Sequence, residues 1–149
     1  MQNAETGIQN NSSGSYLVSR TPGMAPIRRF EDIEGWQKSR ALRQAFSRTA
    51  HSAAFKDRAL EDQMRRCAES AMSNIAEGFE SGSNPEFVRF LNRAYRSLTE
   101  FQSHLYTCRD ERVVSPREFG SHYQLAAEAK AKVGSFIRYL KAHPRGRKA

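Results

Sequence analysis

The sequence predicts an all-α fold, an antiparallel up-down-up-down four-helix bundle, on three observations. Apolar residues recur at steps of three and four along four segments, which is the spacing of an α-helix that buries one face. No segment shows the period-two run of β-branched residues that is typical of a strand. The segments are joined by short connections, which place consecutive helices side by side and antiparallel.

The first two helices are predicted from their seams, meaning the lines of residues expected to face the core. The first seam is the weaker of the two, and Trp36 stands at its start. The second seam ends close to Gly78 and Gly82, residues suited to a helix end and the turn that follows it. The seams are Ser39, Leu42, Phe46, Ala50 and Ala53 in the first helix and Leu60, Met64, Cys67, Ala71 and Ile75 in the second.

The third and fourth helices begin with recognisable start signals. The run NPEF offers Asn84 as N-cap with Pro85 at the first helical position, and the run SPRE offers Ser115 as N-cap with Glu118 as its capping-box partner. The seams are Phe87, Leu91, Ala94, Leu98, Phe101, Leu105 and Cys108 in the third helix and Phe119, His122, Ala126, Ala129, Val133, Phe136 and Leu140 in the fourth.

Composition separates both ends of the chain from the bundle, which we place at residues 27–142. Residues 1–26 are rich in Asn, Gln, Ser, Gly and Pro, so we expect a disordered polar leader. Residues 143–149 form a basic C-terminal tail without an acidic residue. The cations of this tail are Arg145, Arg147 and Lys148.

Charge and cysteine content narrow the class of protein. The 149 residues carry a formal net charge of +8, which favours nucleic acid or an acidic surface as partner over a protein that merely happens to be basic. Cys67 and Cys108 form no CxxC pair and lie on apolar faces, as reduced thiols of an intracellular protein do. The sequence contains neither a secretory signal nor an apolar run of about 20 residues, so we expect a cytoplasmic protein without a membrane span.

The run SNIAEG at residues 73–78 places an asparagine beside the second seam, near the end of the helix. A buried amide needs partners, and the backbone groups of the helix end and turn are close in sequence. We therefore interpret Asn74, together with Gly78, as a structural element of the turn rather than as a catalytic residue.

Three runs, FEDIEGWQKSRAL at 30–42, QMRRCAESAMSNIAEGFESGS at 63–83 and EFVRFLNRAYRSLTE at 86–100, resemble the four-helix-bundle proteins of the rRNA intervening-sequence family. That superfamily includes the accessory proteins of diversity-generating retroelements, which are basic, barrel-shaped homopentamers that bind a reverse transcriptase and nucleic acid. The resemblance implies a bacterial bundle protein that forms a homo-oligomer, a pentamer by analogy. It also implies an alternative function, as an accessory subunit that binds a reverse transcriptase together with RNA or DNA.

A basic ridge is predicted on the third helix, where Arg89, Arg93 and Arg96 lie opposite the seam. Guanidinium groups aligned along a helix can bind successive phosphates of a nucleic acid. A helix face that is merely exposed to solvent can show the same pattern of arginines. The first helix adds Lys38, Arg40, Arg43 and Arg48.

The indole of Trp36 admits two interpretations, because Arg40 and Arg43 fall on the same line of the first helix. An exposed indole would stack a base between cations, whereas a packed indole would lie against its neighbours with Arg40 over its face. We favour the packed indole.

The apolar surface of the third and fourth helices is wider than a monomer needs. Exposed aromatic residues mark protein interfaces more often than other sites, and we therefore assign Phe90, Tyr95 and Tyr139 to an oligomer interface.

Catalysis finds little support in the sequence. The histidines (His51, His104, His122 and His143) show no metal-ligand spacing with each other or with the cysteines, and no phosphate-binding glycine loop is present. Glu77 and Glu80 near the turn are the carboxylates closest to a candidate, and a surface or capping role suits them better. We therefore expect no enzyme, no metal and no cofactor, and a protein that binds nucleic acid, structured RNA in particular, through phosphate contacts.

Overall fold

Four α-helices form the body of the protein, as the sequence predicts. The structure is a computed structural model that describes residues 8–10, 16–18, 27–52 and 55–144. The helices are α1 (Glu34–Ala50), α2 (Arg58–Phe79), α3 (Asn84–Asp110) and α4 (Pro116–Ala142), and a short 3-10 helix at Phe30–Asp32 precedes them. Within these residues, no helix is both long and apolar enough to cross a bilayer.

Two short strands lie in the segment that we predicted to be disordered. Strand β1 (Ile8–Asn10) pairs antiparallel with β2 (Tyr16–Val18), and Ile8 is opposite Val18 in the register. The sequence analysis identified no strand and missed this hairpin. The disorder predicted for the other residues of 1–26 concerns positions outside the described part of the chain.

Contacts between α2 and α3 establish that these helices are antiparallel. The thiol of Cys108 lies 3.3 Å from the thioether sulfur of Met64, and the hydroxyls of Ser70 and Ser97 share a hydrogen bond of 2.9 Å. As the numbers rise along α2 they fall along α3, so the two helices run in opposite directions.

Helix α4 closes the bundle against α1 in the same antiparallel way. The Lys38 ammonium lies 3.3 Å from a carboxylate oxygen of Glu128, and near the opposite end of α1 the hydroxyl of Thr49 is 2.9 Å from Nε2 of His122. Burial lowers the pKa of His122, which favours the neutral imidazole in this contact.

The seam of α3 is confirmed in full, because each of its seven residues has 0% exposure. The seam of α4 departs from the prediction at Phe119 and Phe136, which are half-buried, while Ile137 is buried instead. A strict 3.5-residue pattern drifts against a helix of about 3.6 residues per turn. Three turns after Ala126 the helix therefore presents Ile137 rather than its neighbour. Ala53 of the predicted first seam lies outside the described residues.

The caps of the third and fourth helices were predicted with one error. Ser115 caps α4 with Glu118 as reciprocal partner, as expected. The N-cap of α3 is Ser83, whose hydroxyl accepts from the backbone N–H of Glu86 at 3.3 Å, and the assignment of this role to Asn84 was wrong. The side chain of Asn84 is buried and donates to the backbone carbonyl of His143 at 2.8 Å, so it anchors the end of α4.

Helix α3 ends in a Schellman turn that the sequence analysis did not predict. Arg112 has a φ of 56°, in the left-handed region where glycine is the usual residue. The N–H of Val113 donates to the carbonyl of Cys108 at 3.0 Å, and that of Arg112 donates to Arg109 at 3.1 Å.

Helices α2 and α3 approach each other closely at Gly78. A Cβ atom on this residue would lie 2.6 Å from the Phe87 ring and 2.8 Å from Cβ of Phe90. Gly78 is therefore required by packing inside α2, whereas we had assigned it to the turn. By contrast, a Cβ on Gly82 would meet nothing within 4 Å.

Replacement of Gly78 by alanine should destabilise the bundle by about 1 to 3 kcal/mol, because the new methyl group overlaps a buried ring and a backbone-fixed Cβ. The free energy of unfolding in urea measures this loss. Gly82→Ala is the matched control and should be neutral or slightly stabilising. Equal stability of the two variants would contradict the close approach.

Candidate nucleic-acid interface

The basic ridge lies on the solvent side of α3. Arg89, Arg93 and Arg96 are all exposed, opposite the buried seam of the same helix. None of the three forms an ion pair with a carboxylate of the described residues. The Arg93 guanidinium lies 5.4 Å from the centre of the Phe90 ring, a contact that helps to hold the middle residue of the ridge in place.

Two cations predicted for α1 are neutralised by carboxylates of neighbouring helices. Arg43 donates through Nε and a terminal nitrogen to one oxygen of Glu69, at 3.0 and 2.9 Å. Lys38 pairs with Glu128. Arg48 is exposed and has no ion pair among the described residues. The basic face expected on α1 is thus weaker than its sequence indicates.

The packed interpretation of Trp36 is confirmed. Its indole meets Phe30 edge-on at 5.2 Å and is partly buried against the core. The guanidinium of Arg40 lies 5.8 Å from the ring centre and covers its outer face. The indole is therefore occupied by contacts within the chain.

An open groove between α3 and α4 has basic and aromatic walls. Lys130 lies 4.9 Å from the centre of the Tyr95 ring and donates to the side-chain carbonyl of Gln102 at 3.0 Å. Arg138 and Tyr123 also line the groove, and none of its lining residues is acidic.

An aromatic patch, formed by Tyr106, Phe119 and Tyr123, extends from this groove towards the end of α3. The rings lie 5.1 to 6.0 Å apart, and Arg109 sits 4.8 Å from the centre of Tyr106 and 4.7 Å from that of Phe119. Tyr106 is 43% exposed. Sequence analysis missed this patch, because the spacing of Phe119 and Tyr123 signals a surface pair only once the pairing of α3 with α4 is known.

The three residues predicted for an oligomer interface differ in exposure. Tyr95 is 39% exposed, whereas Phe90 and Tyr139 are half-buried. Tyr139 stacks on His143 at 4.3 Å, and burial raises the pKa of its hydroxyl. The assignment of these residues to an interface stays a prediction.

The cations of the C-terminal tail lie outside the described residues, which end at residue 144. They are Arg145, Arg147 and Lys148. The contribution of the tail to binding therefore stays a prediction as well. Glu77 and Glu80, the suspected carboxylates near the turn, are both exposed, and Glu80 is the C-cap of α2.

Asn74 bonds within α2 and is connected to α3 through Ser70, rather than to the following turn. Its amide nitrogen donates to the backbone carbonyl of Ser70 at 2.8 Å and to the Ser70 hydroxyl at 3.1 Å. Ser70 in turn bonds to Ser97 of α3. The contact points upstream along α2, so the predicted role in bracing the following turn was wrong.

The interface between α2 and α3 that holds the Ser70–Ser97 pair also holds a cluster of three possible metal ligands of different types. Cys67 of α2 meets Glu100 and His104 of α3, and their ligand atoms all lie within 4.8 Å of one another. Burial raises the pKa of the Cys67 thiol to about 12, and the nearby carboxylate of Glu100 adds to the effect. The sequence analysis expected no metal-ligand set. It missed this cluster because one member comes from another helix, although the spacing of Glu100 and His104 by four residues was a visible signal.

Substitution of Asn74 by alanine should cost about 1 kcal/mol, because it removes a hydrogen bond to the serine pair that links α2 to α3. Asn92 offers a matched control, since its amide donates at 3.0 Å to the Val88 carbonyl of its own helix. Asn92→Ala should be nearly neutral, because the gain in helix propensity offsets that local bond. Urea unfolding of both variants compares them, and equal losses would refute the role of Asn74 between helices.

Comparison with known proteins finds a family for the chain and one informative fold. The family model of the 23S rRNA-intervening sequence protein matches residues 31–135. A crystal structure of a protein of unknown function from the S23 ribosomal protein family of Bacteroides thetaiotaomicron superimposes with a TM-score of 0.66. It is 19% identical, and the alignment covers 70% of this chain and 96% of that one, so the likeness concerns the fold. No curated protein matches the chain.

Proposed function

The chain belongs to the 23S rRNA-intervening sequence protein family, and on this premise we propose that it is a cytoplasmic, non-enzymatic protein that binds nucleic acid, structured RNA in particular. Contact is made mainly to phosphates, so the binding is weakly sequence-specific and strongly dependent on salt. The protein acts as a homo-oligomer.

One observation carries the proposal, which is the difference between the paired and the unpaired arginines. The arginines of α2 sit beside carboxylates: Arg58 pairs with Glu61 at 2.5 Å, and Arg65 and Arg66 both pair with Asp62. The ridge arginines form no such ion pair among the described residues, although Glu100 follows Arg96 by four residues on the same line of α3. Unpaired guanidiniums on a fixed helix release bound counterions when they meet phosphates, and this release provides most of the non-specific affinity.

The rigidity of α3 also supports the proposal that the ridge binds nucleic acid. The ridge spans roughly 10 Å along the helix, at 1.5 Å per residue. Because the opposite face of α3 is fully buried, the helix cannot turn the ridge away without exposing its core. Charges held on a rigid element contact an extended phosphate backbone with little loss of conformational entropy.

The ridge hypothesis is tested by changing Arg89, Arg93 and Arg96 together to glutamine. Glutamine is a comparable helix former, so the helix content should stay unchanged. Affinity for RNA should fall alike for every sequence, and the slope of log affinity against log salt should become shallower by about two to three. Fluorescence anisotropy with labelled RNA at several salt concentrations measures both.

A control of equal net charge replaces Arg58, Arg65 and Arg66 by glutamine. These arginines are exposed but already paired, so this variant should keep most of the affinity and of the salt slope. A second control ends the chain at Pro144, which removes the tail cations but keeps the bond from Asn84 to His143. If truncation abolishes binding while the ridge variant binds normally, the tail is the binding element.

We propose that a second copy of the chain covers the groove and the aromatic patch between α3 and α4, around Tyr95 and Tyr106. These two are the large hydrophobic residues of the described chain that remain exposed, at 39% and 43%. Tyrosine and arginine are both enriched at protein interfaces, and Arg109 lies beside Tyr106. Within the described part of the chain, no other large hydrophobic residue is exposed, and this supports the groove and the aromatic patch as the place for a contact between copies.

Sedimentation at micromolar concentration should give a mass that is a whole multiple of 16.9 kDa. The analogy with the homopentameric accessory proteins predicts five copies. The double variant Tyr95→Glu, Tyr106→Glu should be monomeric, because assembly would bury two carboxylates in the contact. Gln63→Glu, on the exposed face of α2, is the control and should assemble normally. A wild-type monomer would refute the assembly. A double variant that assembles but loses RNA would assign the tyrosines to bases instead.

An accessory role beside a reverse transcriptase is the alternative function. It becomes the better account if the ridge variant and the truncated chain both bind RNA as the wild type does, since the basic surface would then serve another purpose.

A further inference from the structure

The side chains of Cys67, Glu100 and His104 converge between α2 and α3, on the line that already holds the Ser70–Ser97 hydrogen bond. We propose that this cluster binds one Zn²⁺ ion per chain, with water in the fourth position. The proposal does not rest on the proposed function, although Glu100 lies four residues after Arg96 of the ridge.

The helices bring the three donors together without distortion. Glu100 and His104 are four residues apart and therefore share one face of α3, where neighbouring side chains meet. Cys67 faces them from the antiparallel helix, three residues before Ser70. The packing of α2 on α3 thus sets the distance between the thiol and the other two groups.

The ring nitrogen Nε2 of His104 indicates a missing partner. This atom is buried and has no hydrogen-bond partner, and the closest carboxylate oxygen, on Glu100, is 3.6 Å away. An unsatisfied buried nitrogen is costly, and native structures contain few of them. A metal ion between the donors would provide the missing bond.

The types of donor and their charges select zinc among the common metals. Thiolate, imidazole and carboxylate are the usual zinc ligands, whereas magnesium and calcium require oxygen donors. One thiolate and one carboxylate balance the two charges of Zn²⁺, so the occupied site is neutral and suited to a half-buried position. The thiol gives its proton to solvent as the Zn–S bond forms.

The separations are close to those that a tetrahedral ion needs. With metal–ligand bonds of 2.0 to 2.3 Å, ligand atoms around zinc lie about 3.4 to 3.8 Å apart. The ligand atoms all lie within 4.8 Å of one another, and the Glu100–His104 pair is at 3.6 Å, so a contraction of at most about 1 Å is needed. The side chains of the exposed Glu100 and the half-buried His104 can supply it by rotation.

The test uses the full chain without an affinity tag, stripped by a chelator and titrated with Zn²⁺ against a chromogenic zinc indicator. We expect one ion per chain and a rise in the melting temperature with zinc concentration, because the ion binds the folded state. Co²⁺ should substitute and give the thiolate-to-cobalt absorption that reports a cysteine ligand.

The variants Cys67→Ser, His104→Gln and Glu100→Gln should each lower zinc affinity at least tenfold, and Cys67→Ser should abolish the cobalt–thiolate band. Controls of the same residue types are Cys108→Ala, whose thiol faces Met64, and the exposed His51→Ala. Both should bind zinc as the wild type does. Circular dichroism checks the fold of each variant, and Glu100→Gln keeps the test valid if a change at a buried position unfolds the chain.

Two results would overturn the proposal. One is the absence of stoichiometric binding at micromolar zinc, and the other is binding that Glu100→Gln and His104→Gln leave unchanged. In either case the cluster is a local contact between a histidine and a carboxylate and holds no metal.

Discussion

The close packing of α2 against α3 is the constraint on which the rest of the structure depends. At Gly78 the two helices are so close that even a Cβ atom would overlap the Phe87 ring. From this point the interface runs through the Ser70–Ser97 pair to the contact of Met64 with Cys108. It fixes the rotation of α3 about its own axis. With the inner seam of α3 fully buried, the outward direction of its arginines is determined.

Electrostatic pairing then decides which cations remain available to a ligand. Carboxylates of α2 and α4 occupy Arg43 and Lys38 of α1, and α2 pairs its own arginines within the helix. The net charge of +8 is therefore unevenly distributed, and the ridge on α3 keeps its charge unpaired. Since exposed ion pairs add little stability, their main effect here is on where the surface stays basic.

The sequence was sufficient for features that depend on one helix at a time. Periodicity identified four helices, the full seam of α3 and the outward position of its arginines, because burial alone fixes which face of an amphipathic helix turns inward. Contacts between helices could not be predicted from the sequence. The pairing of Arg43 with Glu69, the aromatic patch and the cluster at Cys67 all depend on which residues the antiparallel packing brings opposite one another. The cap of α3 was misplaced by one residue, because Ser83 and Asn84 are both good N-cap residues and only the burial of Asn84 separates them.

We propose that nucleic acid binds at the basic ridge of α3, and mapping of the contact tests this most directly. RNA that carries 4-thiouridine can be photo-crosslinked to the wild-type protein, and mass spectrometry then identifies the crosslinked peptides. We expect crosslinks concentrated in residues 89–96, which carry the ridge. Crosslinks confined to residues 58–66 of α2, or to the tail beyond residue 144, would contradict it.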